Sequence, residues 1–266
     1  MMAAVKRIYA MFLRHWYILR SSPARVLEIM YWPSIQMVLW GFISRFFAFQ
    51  EASTLHVALG TLLGAVLLWD LLFRSQLGVS FSYMEEQWSR NLAQVFISPL
   101  RFREWAASMI LFSVMRASVG IFPALVLAIP FYGFSVFELG LPVVFLFFNV
   151  MFMGWWLGML VTALLIRTGP GAESLAWAMT FMLAPLCAVY YPVDILPVWL
   201  QPLAHALPAS HVFEALREVV TLQTVPWDMV WRATAMNTGY MVFALFVLHM
   251  TYRSALRDGL FLRNGE

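Results

Sequence analysis

Lysine occurs once in this sequence, at Lys6. That excludes a phosphate-cradling loop of the G-x-x-x-x-G-K-[ST] type anywhere in the chain, so the chain carries no nucleotide-hydrolysing site of that kind. Cysteine also occurs once, at Cys187, which excludes an internal disulfide; inside its apolar run it reads as a small packing residue. Charge of either sign is scarce: 12% of the residues are Asp, Glu, Lys or Arg, while 62% of the 266 are apolar. A soluble domain carries about 25% charged and about 45–50% apolar residues. No soluble fold of this length hides so much apolar surface. Internal repeats and low-complexity tracts are missing, and the longest stretch outside the apolar runs, Pro192 to Asp228, leaves no room for a soluble domain. The first twenty residues hold Lys6, Arg7, Arg14 and Arg20 with no unbroken apolar run between them, which predicts no cleavable signal peptide. A net charge of +3 spread in this way is no nucleic-acid footprint.

Long apolar runs are abundant. They are continuous rather than alternating, which excludes a membrane barrel and predicts an all-α membrane protein. Six spans are expected, over 26–47, 55–81, 105–129, 139–166, 173–191 and 229–252. Pro33 and Pro123 fall inside spans, where packed neighbours tolerate a kink. With six spans, one side of the membrane collects Lys6, Arg7, Arg14, Arg20, Arg25, Arg90, Arg101, Arg103, Arg167, Arg253, Arg257 and Arg263, against Arg45, Arg217 and Arg232 on the other. Twelve against three predicts that both termini are cytoplasmic.

Residues 4–22 place Val5, Ile8, Phe12, Trp16 and Leu19 on one helical arc and Lys6, Arg7, Arg14 and Arg20 on another. The spacing predicts an interfacial helix with its basic face toward headgroups. Between spans two and three lies a polar island. Glu85 and Glu86 open it, and Trp88, Leu92, Val95 and Phe96 recur at helical spacing as an apolar stripe. Glu86 and Arg90 are i,i+4 partners, and Pro99 stops the helix at Ser98. A short amphipathic helix over 85–97 suits docking into a partner's groove.

The run Glu85-Glu86, Arg90-Asn91-Leu92, Ser98-Pro99-Leu100 resembles the first cytoplasmic loop of type-2 ABC exporter permeases, with Asn91 where many members have Thr or Ser. The run Tyr190 to Pro197, followed by Pro208 and Glu214-Ala215-Leu216-Arg217, is similar to that family's external segment, without its usual Asn before Pro208. The resemblance covers essentially the whole chain. It implies a permease that works with a second copy or a homologous permease and with a separate ATPase subunit; ATP and magnesium sit on that subunit and no cofactor on this chain. It implies that Glu85, Glu86, Trp88, Arg90, Leu92, Phe96, Ser98 and Pro99 form the coupling helix, with Trp88, Leu92 and Phe96 as anchors and Glu85, Glu86 and Arg90 facing the ATPase. It also implies an external gate over 192–220, formed by short re-entrant helices and carrying Pro192, Asp194, Pro197, Pro208, Glu214 and Arg217. The residues themselves place Arg217 to pair with Glu214 at i,i+3 or with Asp194, or to lie on a solvated charged face. The cargo is expected to be a lipid-linked glycan, a lipid or an amphipathic small molecule.

Ionisable groups inside spans are costly and rarely face lipid. Asp70 and Arg74 lie four apart on one face of span two, and Arg116 lies in span three. Asp70 neutralises Arg74 or Arg116; the pair reads first as structural and second as a proton or substrate site. Glu28 and Gln36 are placed on span one to meet them. The rival function is a secondary transporter or channel built on Asp70 and Arg116. Gly60-x-x-x-Gly64 and Gly154-x-x-x-Gly158 allow close helix approach. An intramembrane enzyme is disfavoured, because only His249 of the five histidines lies inside a span and it has no evident partner.

Overall fold

A computed structural model describes residues 2–48, 55–132 and 140–260. Ten α-helices follow in order among them: α1 Met2–Arg20, α2 Pro23–Ala48, α3 Leu55–Trp88, α4 Leu92–Ile97, α5 Phe102–Tyr132, α6 Leu141–Thr168, α7 Glu173–Leu183, α8 Gln201–His205, α9 Pro208–Leu222 and α10 Trp227–Arg257. Five of them, α2, α3, α5, α6 and α10, are long and apolar enough to cross a membrane. The expected start of span four at Leu139, and Arg263, lie outside the described residues.

The central post is α3, which packs against α2, α5, α6 and α9. It is nearly all buried, and it buries more polar side chains than any other described span: Asp70, Arg74, Ser75, Gln76, Ser80 and Ser82 are all enclosed. In lipid such groups must find partners inside the protein. Ser75 Oγ donates to the Leu71 carbonyl, the Gln76 amide nitrogen donates to Ser80 Oγ, and Thr180 Oγ1 donates to Gln76 Oε1. A second network ties α6 to α10. Trp156 Nε1 donates to Asn237 Oδ1 at 2.9 Å, and Asn237 Nδ2 donates to the Asn149 carbonyl at 3.0 Å.

Apolar surface does not drive helices together in lipid; close packing of small residues does. Gly154 and Gly158 of α6 lie directly on α3, against Leu72, Ser75, Gln76 and Val79. Gly64 instead receives the Leu216 side chain of α9.

The described ends of the chain lie together. Arg7 of α1 reaches Glu104 at the start of α5, and Tyr252 near the end of α10 packs on Phe96, Phe102 and Trp105. Trp88 closes α3 at this end, and α9 lies at the other, beside Gly64.

The run expected as a full span over 173–191 is a shorter helix followed by turns. α7 has 11 residues, about 17 Å of helix, well short of a hydrocarbon core of about 30 Å. Pro185, which has no N–H to continue the ladder, ends it. The chain still climbs along α3: Glu173 meets Trp88, Trp177 meets Phe81, and Phe181 meets Phe73. Irregular turns with Ala188 at φ 51° complete the climb.

Candidate functional site

The polar island is not one helix. α3 runs on through Glu85, Glu86 and Trp88, stops, and a six-residue α4 begins at Leu92. The stop is a Schellman-type cap. Asn91 N–H donates to the Glu86 carbonyl at 2.9 Å and Arg90 N–H to the Gln87 carbonyl at 3.0 Å, with Arg90 at φ 54°. Glycine usually fills that left-handed position, and its absence hid the break in the sequence. Ser98 Oγ then donates to the Val95 carbonyl before Pro99 turns the chain into α5.

The expected partner-facing acids point inward instead. Glu85 and Glu86 are buried and form intramolecular pairs. Arg14 of α1, rather than Arg90, grips Glu86 with Nη2–Oε2 at 2.8 Å and Nε–Oε1 at 2.7 Å. His15 Nδ1 lies 3.3 Å from Glu85 Oε2, and Arg116 Nη1 lies 3.8 Å from Glu85 Oε1. Arg7 makes a bidentate pair with Glu104, whose carboxylate also accepts the Arg101 N–H at 3.0 Å. Glu104 thus caps α5 and holds α1 at once. The α1 face expected to meet headgroups through Arg7 and Arg14 is docked on the bundle through those residues. Lys6 and Arg20 remain exposed, and an apolar arc of Met2, Val5, Tyr9 and Tyr17 faces outward. The sequence shows Arg7, Arg14 and His15 at i, i+7 and i+8 on one side of α1, but not which acids they meet.

Two of the three expected anchors, Leu92 and Phe96, also turn inward, while Trp88 stays half-exposed. Val95 is buried; Leu92 and Phe96 pack against the core, Phe96 with its ring 5.3 Å from those of Trp105 and Tyr252. The outward face of α4 presents Gln94 and Ile97, with Ser98 and Pro99 beside them, and Ile97 is 82% exposed. Trp88 and Arg90 flank this face; the Trp88 ring N–H donates to Glu173 Oε1 at 2.6 Å. Ile97 was not singled out by the periodicity, because a stripe at helical spacing marks the buried side.

Beside this surface two adjoining cavities, about 230 and 240 Å³, share Glu28 and Arg116 as lining. Together they form a furrow between α2, α3 and α5 that reaches from Glu85 and Trp88 to Gln36 and Asp70. Within it Arg74 Nε donates to Asp70 Oδ2 at 2.6 Å, which settles the pairing of Asp70. Arg116 lies over the Phe81 ring at 4.1 Å and makes no hydrogen bond among the described residues. Trp32, Phe73, Trp177 and Phe181 wall the furrow.

At the opposite end, Arg217 reaches back from α9 to the carbonyls of Ala188, Val189 and Tyr191, while its Nη1 lies 3.2 Å from Glu214 Oε2. Glu214 Oε1 accepts the Val193 N–H at 2.8 Å. The partner of Arg217 is therefore Glu214; Asp194 is exposed. Pro192 precedes a short turn over Val193–Ile195, Pro197 accepts the Leu200 N–H through its carbonyl, and Pro208 begins α9. Burial pushes the His211 imidazole pKa below its ordinary value, and its Nε2 lies 3.0 Å from the His205 carbonyl. Arg217→Ala removes charge-assisted hydrogen bonds worth about 1.5–3 kcal/mol apiece at most. It is expected to speed amide exchange over 188–195 by tenfold or more while α10 stays unchanged. Unaltered exchange would show that the clamp does not hold the loop.

No cluster of three or more metal-ligating side chains occurs among the described residues. Residues 6–221 match the family model described as ABC-2 type transporter. Among curated proteins none matches the chain. With most of its length covered by that match and five membrane-length helices around α3, the chain belongs to the ABC-2 type transporter family, as a multi-spanning permease that is a transport component without catalytic chemistry of its own.

Proposed function

We propose that this permease is the membrane half of an ATP-driven exporter, driven through the exposed face of α4 by a separate ATPase subunit. The observation that carries the reading is Ile97. A large apolar side chain stands 82% exposed on a helix of six residues whose other apolar groups are packed inward. Such an isolated, rigidly mounted anchor suits a cleft in a partner. Gln94, Ser98 and Pro99 complete the docking face, with Trp88 and Arg90 at its rim. Glu85 and Glu86 act behind it, tying the docked end to α1.

In this reading the Trp88 end, which gathers most of the arginines, is cytoplasmic in a bacterial inner membrane. α7 and the turns after it serve as the sixth pass, and 192–220 forms the external gate. A second permease, identical or homologous, faces the furrow. Its charged end at Arg116 and its aromatic wall suit an amphipathic cargo such as a lipid, a lipid-linked glycan or an amphipathic small molecule. The Asp70–Arg74 pair is already neutralised, which supports a structural role and weakens the ion-gradient reading.

Co-expression with the cognate ATPase should yield a stoichiometric complex with vanadate-sensitive activity. Ile97→Asp is expected to lower substrate-coupled ATP turnover by tenfold or more, while the permease is inserted and elutes as wild type. Leu92→Asp, by contrast, is expected to destabilise the permease itself. A chain that moves substrate on an ion gradient without any ATPase would instead establish the secondary transporter.

A further inference from the structure

A groove of about 700 Å³ lies between α5 and α10 at the Trp88 end and shares no lining residue with the furrow. Arg101 and Arg103 stand at its mouth, both exposed and neither in an ion pair among the described residues. The nearest acid in sequence, Glu104, is occupied by Arg7 and by the Arg101 N–H. Arg253, also exposed, follows the lining residue His249 by one helical turn. No carboxylate lines the groove.

Below the arginines the lining changes character. Ala106, Ala107, Ile110 and Leu245 form an apolar trough, shallow where the alanines leave space. From Arg103 to Ile110 is about 10 Å of helix, the step from headgroup level into the acyl region. His249 stands in the wall, ring to ring with Phe102 at 4.7 Å, and its buried Nδ1 has no hydrogen-bond partner. A soluble anion has no use for the trough, and a neutral lipid has none for the arginines.

We propose that this groove holds one anionic phospholipid. Its phosphate sits between Arg101 and Arg103, where planar guanidinium groups bind phosphate oxygens in pairs. One acyl chain lies along Ala106, Ala107, Ile110 and Leu245. Basic pockets between spans at a membrane face recognise such headgroups. The site is independent of how transport is driven, so failure of the ATPase reading leaves it standing.

Native mass spectrometry of the full chain in neutral detergent, titrated with phosphatidylglycerol or phosphatidylcholine, tests it. One phosphatidylglycerol should be retained per chain in preference to phosphatidylcholine. Arg101→Gln with Arg103→Gln should weaken that binding roughly thirtyfold, about fivefold for each arginine. Lys6→Gln with Arg20→Gln removes the same charge from exposed positions on α1 and should leave binding within about twofold. Equal loss in both double variants would reduce the effect to general surface attraction and overturn the site. So would equal retention of the two lipids. Ala107→Trp should weaken binding by filling the trough without changing charge; if that variant misfolds, the exposed arginine pair decides alone. Displacement of phosphatidylglycerol by excess inorganic phosphate would assign the site to a soluble phosphate and end the lipid assignment.

Discussion

Gly158→Val is expected to abolish the folded permease. A β-carbon at Gly158 would stand 2.6 Å from Val79 Cβ and 2.7 Å from the Gln76 carbonyl oxygen. At Gly154 one would stand 2.6 Å from Ser75 Cβ and 2.7 Å from the Leu72 carbonyl oxygen. The obstacles include backbone of α3, so no rotamer change relieves them. The two helices must separate by about an ångström, which forfeits a quarter to a half of the dispersion energy along the contact. Overpacking typically costs about 1–3 kcal/mol when side chains can yield; against backbone the expected cost exceeds about 3 kcal/mol. Separation would also break the hydrogen bond from Ser80 Oγ of α3 to the Gly158 carbonyl, already 3.5 Å long. Detergent extracts run on size exclusion should lose the monodisperse peak. Gly239→Ala is the matched control, because a β-carbon there meets nothing within 4 Å. A wild-type peak for Gly158→Val would mean that α3 and α6 do not pack this closely.

The Gly154-x-x-x-Gly158 pattern was legible in the sequence, but its weight was not. Small residues four apart recur by chance in apolar runs, and only a facing helix distinguishes them. Gly64 makes the point: it serves Leu216 of a short helix rather than a crossing of two spans. The membrane class and four of the long helices followed from composition and run length, because lipid demands them. The fifth long helix, α3, was legible only to Phe81. Its last turns to Trp88 are polar, and polarity in a greasy chain reads as the end of a span. They continue as helix because Arg14 and His15 meet Glu86 and Glu85 there. The run 173–191 fails for the opposite reason: its hydropathy suits a span, while Pro185 breaks the helix.

Periodicity predicts an outward stripe over 85–97, and the structure turns Leu92, Val95 and Phe96 of that stripe inward. Periodicity shows which side of α4 is apolar, and in an isolated helix that side is free to dock. Here the stripe is claimed by Trp105 and Tyr252 of the same chain. What remains outward is the residue off the stripe, Ile97. The Asp70–Arg74 pair was legible because both partners sit on one helix at i,i+4 spacing. The ties of Arg7, Arg14 and His15 cross between α1 and two other helices, and nothing in local sequence specifies such a pairing.

Arg14→Ala is expected to loosen α1 from the bundle at a cost of about 3 kcal/mol. Glu86 is 1% exposed, with a second buried carboxylate, Glu85, next to it. Truncating Arg14 leaves the buried Glu86 carboxyl without its partner, and breaking a buried pair this way costs about 3–5 kcal/mol. Arg14 itself is 34% exposed, so solvent screens part of the loss and the lower value applies. Adding Glu86→Gln should recover most of the stability, because the amide carries no charge to strand. The recovery separates a lost charge pair from lost packing, since the second substitution restores no contact with α1. Thermal unfolding in detergent reads the cost, and limited proteolysis at Ser21-Ser22 reads the release. If α1 were a plain lipid anchor, Arg14→Ala would leave both unchanged and Glu86→Gln would rescue nothing. If it is the strut that the geometry describes, both readouts should shift together and Glu86→Gln should restore both.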